Sequence, residues 1–172
     1  MNPKKCAFGV AARQFLYFMV HERGIEIGDK SKNAITTMTP PGDKKQLQSL
    51  IGKLNYIRRL ILNLFGRIEP FMPLVKIKSA SDFIWGQEQQ KAFDDLKRYL
   101  SLPPVLVPPQ LDQSFIVYLS ADEVSISSVL IQEFQGKERV VFYLSRCLLN
   151  AEIRYNEMEP LCLCLYFTCT KL

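Results

Sequence analysis

Apolar residues recur at three- and four-residue steps through one long stretch of the chain, at Leu47, Leu50, Ile51, Leu54, Ile57 and Ile61. Lys45, Gln48, Lys53, Arg58 and Arg59 fall on the intervening positions, so the spacing predicts an amphipathic helix over 44–64 with Gly42-Asp43 at its start. A second helix is predicted over 86–100, with Phe93, Leu96 and Leu100 on one side, and Pro70 and Pro73 break the chain between the two. Upstream, residues 6–10 and 15–20 read as short strands joined through 11–14, and HERGIE turns out of the second at Gly24. Asp29 is placed to cap a short helix reaching residue 37, ahead of Pro40-Pro41.

Beyond Pro103-Pro104 and Pro108-Pro109 the pattern changes from helical to extended. These prolines mark a linker, giving units at 1–102 and 113–172 joined by 103–112. Residues 115–119, 125–132 and 139–144 are strand-like, with Gln135-Gly136-Lys137 as the turn between the last two. A nearly all-apolar run over 161–169 reads as a buried helix. The fold class expected is mixed α+β: a hairpin and a helical region, then a partial α/β unit built on a three-stranded antiparallel meander.

Charge divides the chain at about the same place. Residues 1–78 carry 14 Lys/Arg against 5 Asp/Glu, whereas residues 79–172 carry 8 against 12, for a net +5 overall. A basic segment beside an acidic one suits a polyanionic partner docked on the first half, although a solvated basic face would look the same. Five cysteines, Cys6, Cys147, Cys162, Cys164 and Cys169, make an odd count without a secretion signal, which points to free thiols in a reducing, intracellular compartment. No apolar run reaches the roughly 18 residues of a membrane span, so no membrane partner is expected.

Most catalytic chemistries find no residues here. His21 is the one histidine, and nothing near it suggests a serine–histidine relay. Cys162, Cys164 and Cys169 form no CxxC pair and read as small core residues. No GxxxxGK[ST] or GxGxxG loop is present. What remains is two-metal phosphodiester cleavage, which needs several converging carboxylates. Asp122, Glu123, Glu157 and Glu159 are the candidates, and Asp122 ends a strand in VYLSADEVSISSVLIQ. Each has a structural alternative: Asp122 and Glu123 suit a loop between strands, and Asn156 with Glu159 matches a capping box.

Several segments, in order and at the right spacing, resemble the polymerase polyprotein of gypsy-type LTR retrotransposons. NPKKCAFGV with FLYFMVHERGIE resembles the last palm hairpin of its reverse transcriptase, and KKQLQSLIGKLNYIRRLI its thumb helix. FIWGQEQQKAFDDLKRYLSLPPVL resembles the connection, and VYLSADEVSISSVLIQ with RYNEMEPLCLCLYFTCTKL the first half of an RNase H-like domain. The resemblance covers nearly the whole chain. It implies a primer-grip-like hairpin at Phe15, Leu16, Tyr17 and Phe18, with Tyr17 standing where relatives carry glycine. It also implies nucleic-acid contacts from Gln48, Gly52, Lys53, Asn55, Tyr56, Arg58 and Arg59, with Leu50, Leu54 and Ile57 read as plain helix core. The implied partners are an RNA/DNA hybrid or template–primer duplex and the remaining Pol segments.

The same resemblance removes the catalytic groups. The polymerase aspartates of the family lie in a YxDD motif upstream of this segment. Active RNase H-like relatives read approximately YTDASDxAIGAVLSQ, which lays the catalytic aspartate on Ser120 and a non-catalytic serine on Asp122. A second acidic ligand falls on Leu161, and Glu159 matches a preceding, non-catalytic glutamate. A shift of two residues along a strand would displace the Asp122 carboxylate by about 6–7 Å, far outside the tolerance of a metal site. The expectation is therefore a fragment that binds nucleic acid, holds no cofactor and is catalytically inactive alone, with magnesium needed only if the RNase H site were active. The alternatives are an active magnesium-dependent endonuclease and a non-functional remnant, whose open sheet edge and uncovered apolar helix would make it poorly soluble.

Overall fold

The computed structural model describes residue 6 and residues 9–16, 18–156 and 158–171. Three short strands open the fold: β1 (Ala12–Phe15), β2 (Phe18–His21) and β3 (Gly24–Ile27), paired antiparallel in that order. The expected strand over 6–10 lies partly outside the described residues. The hairpin turn sits at Leu16, with φ 46°, and not at residues 11–14, so the segment read as one strand over 15–20 is divided by the turn. The return from β2 runs through Glu22-Arg23, and Gly24 already belongs to β3.

Helices α1 (Asp29–Thr36) and α2 (Lys44–Tyr56) follow. Gly28, not Asp29, occupies the N-cap of α1, and Asp29 sits in its first turn, where a carboxylate favours the exposed N–H groups. Asp43 caps α2 as its sequence suggests, accepting from the Gln46 amide at 2.7 Å. The helix ends at Tyr56, eight residues short of the predicted end, and Arg58–Leu60 form a 3₁₀ turn. Short helices α3 (Leu64–Ile68) and α4 (Met72–Lys76) lead to α5 (Gln87–Ser101). Pro70 and Pro73 each stand in the first turn of a helical segment, starting structure where they were expected to break it.

The second sheet is the predicted meander: β4 (Ile116–Ala121), β5 (Ser125–Phe134) and β6 (Lys137–Cys147), in order and antiparallel. Gln135 and Gly136 both have positive φ, the backbone of a two-residue hairpin turn, and Lys137 begins β6. Helix α6 (Glu159–Lys171) closes the chain. It covers one face of this sheet with Cys164 and Thr168, while Leu165 and Tyr166 are exposed. The run expected to be a buried helix is thus buried on one side only. Among its cysteines Cys164 alone is in the core, where burial pushes the thiol's pKa up; Cys162 and Cys169 are exposed.

The two halves share a core. Leu47, Leu50, Leu54, Ile57, Ile61 and Leu64 pack with Phe93, Leu96 and Leu100, and the same cluster contains Leu106 and Tyr143 of β6. The proline-rich segment is paired throughout its middle: Leu106 exchanges backbone hydrogen bonds with Ile25 at 2.8 and 2.9 Å, and Val107 donates to the Val140 carbonyl at 2.8 Å. The buried Gln132 amide then bonds the Gln110 N–H and the carbonyls of Gln110 and Gln113. Gly24 makes this closeness possible. Its φ of 138° is one that side-chain-bearing residues rarely adopt, and a Cβ there would overlap the Leu106 carbonyl oxygen. Gly24→Ala is expected to lower the free energy of unfolding by at least about 2–3 kcal/mol, read from urea denaturation followed by circular dichroism; an unchanged midpoint would contradict the bridge.

Candidate functional site

Two regions carry candidate chemistry. The first is the loop from β4 to β5. Leu119 and Ala121 pack with Leu163, Cys164 and Phe167 of α6, so alternation along the strand turns exposed Ser120 to the other face, opposite Ser127. Leu161 lies half-buried in the first turn of α6. Asp122 caps the loop: one carboxylate oxygen accepts from the amides of Val124 at 3.0 Å and Ser125 at 2.6 Å, and the other from the Ser125 hydroxyl at 2.9 Å. The Ser125 hydroxyl also lies 3.3 Å from Asn63 Oδ1, which links this loop to the N-cap of α3.

Asp122, Glu123 and Glu152 line one shallow depression. Two of these three carboxylates are already engaged. Arg146 donates to both oxygens of Glu152 at 2.7 and 2.8 Å, and its guanidinium holds the Glu152 carboxyl below the usual glutamate range. Glu159 accepts from the Asn156 amide at 2.7 Å, the reach-back half of the capping box, and Glu157 lies outside the described residues. Among the described residues no three acidic, histidine or cysteine side chains converge as metal ligands. A hard divalent cation wants several oxygen donors; a serine hydroxyl, a leucine and a carboxylate saturated by N–H donors do not fit one.

The second region is the outer face of α2. Gln48, Gly52 and Asn55 share one stripe of the helix, flanked by Lys53 and Tyr56, and all are exposed. Leu50, Leu54 and Ile57 are fully buried on the opposite side. Arg58 and Arg59 stand on the 3₁₀ turn beyond the helix, and the Arg59 guanidinium lies 5.5 Å over the Phe142 ring of β6. At the tip of the β1–β2 hairpin Phe15 and Leu16 are exposed, and Tyr17 lies outside the described residues. Phe18 stacks on Tyr56 with ring centroids 5.9 Å apart, and the Tyr56 hydroxyl reaches the Leu16 carbonyl at 3.5 Å. The structure therefore brings Phe18 and Leu16 beside Tyr56 and leaves Arg59 facing the second sheet. The sequence reading passed over Lys30 and Ser31 of α1, which line a cleft of about 490 Å³ together with Gly52, Lys53 and Tyr56. A polar eight-residue helix carries no motif that would have marked them.

Residues 85–172 match the family described as the RNase H-like domain found in reverse transcriptase. The chain belongs to that family. Beyond the match, most of the chain aligns with longer polyproteins. It is 29% identical over 168 residues to the retrovirus-related Pol polyprotein from transposon opus of Drosophila melanogaster, covering 92% of this chain and 17% of that one. Against the Pol polyprotein from transposon 412 of the same fly it is 30% identical over 159 residues, covering 92% and 13%. The chain thus spans less than a fifth of these relatives. Two solved structures of foamy viral protease–reverse transcriptase, one with dsDNA and one with RNA/DNA hybrid, share the fold with TM-scores of 0.80 and 0.79. Each is 22% identical and overlays 98% of this chain on 35% and 23% of the respective neighbour.

Asp122→Ala is expected to cost about 2–3 kcal/mol of stability, since it leaves donors of a tight loop unpaired. Asp122→Asn, which keeps one accepting oxygen, should cost less; thermal melts of the two variants distinguish loop cap from bystander. The Arg146–Glu152 clamp adds a pH dependence. With the folded-state pKa of Glu152 depressed, its stabilisation is full above the ordinary glutamate value near about 4.3 and is lost as pH falls through the lower folded value. Glu152→Gln should flatten the stability–pH curve in that acid window and lower stability at neutral pH.

Proposed function

We propose that this chain is the late part of a gypsy-type LTR-retrotransposon reverse transcriptase joined to the start of an RNase H-like domain, and that it holds a nucleic-acid duplex without cutting it. Residues 1–102 then correspond to palm end, thumb and connection, 103–112 to the join, and 113–172 to the partial RNase H-like unit. The duplex is a template–primer or an RNA/DNA hybrid; the foamy viral neighbours of the same fold are in complex with dsDNA and with RNA/DNA hybrid. The other Pol segments are the natural protein partners.

One observation carries the reading. Gly52 sits mid-helix, exposed, and a Cβ built there meets nothing within 4 Å. Glycine in a helix interior costs about 1 kcal/mol relative to alanine, and nothing in the packing of the described residues offsets that cost. A partner whose backbone must approach the helix closely does. Gln48 and Asn55 on the same stripe offer amide hydrogen bonds, Tyr56 a ring edge, and Lys53 and Arg58 phosphate attraction. Arg59, committed to Phe142, adds to the field more than to direct contact. The inactivity of the RNase H-like unit rests on Ser120 and Leu161 in the ligand positions and on the loop duty of Asp122.

The test is an anisotropy titration on an RNA/DNA hybrid. Gly52→Ala is expected to raise the melting midpoint while weakening hybrid binding by about tenfold or more, a divergence that a passive helix position would not show. Wild-type affinity no greater than that of an unrelated protein of equal charge would reject the binding reading. Magnesium-dependent cleavage of the hybrid, lost in a folded Asp122→Asn variant, would reject the inactive one.

A further inference from the structure

Helices α1 and α2 leave a gap between them, the cleft of about 490 Å³, a volume in the range of small-ligand pockets. It stays open because two of its lining positions carry little or no side chain: Ala34 on α1, and Gly52 on α2, where a Cβ meets nothing within 4 Å. The cleft reaches the core, since Ile35 and Ile57 line it and are each only 1% exposed. Lys30 and Lys53 line it too, one from each helix. The walls are held in place. Ile35 anchors α1 in the core, and Lys32 Nζ of the same helix donates to the Ser101 carbonyl at 2.6 Å. Leu50 and Leu54 anchor α2, and Tyr56, the one aromatic side chain of the lining, is stacked on Phe18.

We infer that this cleft is a binding site for a small amphiphilic anion, an aryl carboxylate in its simplest form. Its ring lies on Ile35, Ile57 and Tyr56, and its carboxylate meets Lys30 and Lys53. The two kinds of lining residue select different parts of such a ligand. The apolar surface favours a body that leaves water, in proportion to the area it covers. The lysines are compact point charges on flexible stems, able to meet a carboxylate from either wall. A free phosphate satisfies only the cations, and a neutral hydrocarbon only the apolar floor. Gly52 and Tyr56 also belong to the α2 face assigned above to the duplex, so a ligand seated here blocks the approach to that face. Binding of the small anion stands on the cleft alone, whereas its competition with a duplex rests on the reading given under the proposed function.

The probe is 2-naphthoate, with uncharged 2-naphthamide as its counterpart, titrated into the full chain by calorimetry. Naphthoate is expected to bind saturably with Kd of about 1 mM or tighter, and naphthamide about five- to tenfold more weakly. Ala34→Leu fills the cleft from α1, away from the residues assigned to the duplex. It should weaken naphthoate by about tenfold or more and leave the affinity for an RNA/DNA hybrid within about twofold. Ala34→Met gives a second filling variant, and circular dichroism confirms that each is folded. Lys30→Gln should narrow the difference between the two probes. The absence of saturable naphthoate binding, or binding that both folded filling variants leave unchanged, would overturn the site. Equal affinity for naphthoate and naphthamide would overturn its preference for an anion. Anisotropy of a labelled hybrid then reads the competition: naphthoate bound without displacing hybrid makes the competition wrong and leaves the site standing. If naphthoate binds to a chain that binds no hybrid, the site stands and the duplex reading fails.

Discussion

The pairing of Leu106 with Ile25 is the contact on which the rest of the molecule depends. Each sheet has only three strands, and β1 is exposed along its whole length, so neither sheet would be stable as an isolated ribbon. Leu106 extends the first sheet by one bridge while its side chain enters the helical core, and one residue later Val107 joins β6. Two residues between two pairs of prolines, Leu106 and Val107, thereby connect both sheets to one apolar cluster. Gly24 is required because the two backbones pass closer than any side chain allows. The Asn63–Ser125 contact and the Arg59–Phe142 stack repeat the connection from the helical side. A basic and an acidic half are in this way held as one body, which fixes where the positive face can point.

What could be read from the sequence depended on whether tertiary packing respected local signals. The stripe of α2 was legible because Leu47, Leu50 and Leu54 recur at helical steps and are all buried. Its end was not, because Ile57, Leu60, Ile61 and Leu64 continue a similar spacing through a 3₁₀ turn and a new helix, keeping the buried side buried while the axis changes. The hairpin turn was missed for a related reason. Leu16 adopts positive φ without glycine or asparagine to announce it, and the apolar run over 15–20 continues straight across it. The run over 161–169 has almost no polar side from which to infer orientation, so its half-exposure follows only from the sheet it covers.

The candidate sites divide in the same way. The meander came from order and spacing along the chain and the Ser120 position from the family resemblance, whereas the employment of Asp122 depends on three donors within hydrogen-bond reach that only the folded loop supplies. The depression that Lys30 shares with Arg13 and the one it shares with Lys53 were invisible in the sequence because these cations are separated by 17 and 23 residues and belong to a strand and two helices. Net charge located the positive half but could not say that Lys30 faces the same depression as Arg13.

The loop at Asp122 is held by its own hydrogen bonds. A cluster of carboxylates repels itself unless a cation is bound, so active sites of that kind are held together partly by their metal. Here the strand–loop–strand unit is held by neutral and satisfied groups: Asp122 on N–H and hydroxyl donors, Ser128 and Thr168 hydroxyls 2.7 Å apart between sheet and helix, and Cys164 Sγ 3.2 Å from the Ser127 carbonyl. The sheet edge becomes a self-sufficient support for the helical half, joined to it through the Ser125–Asn63 and Arg59–Phe142 contacts.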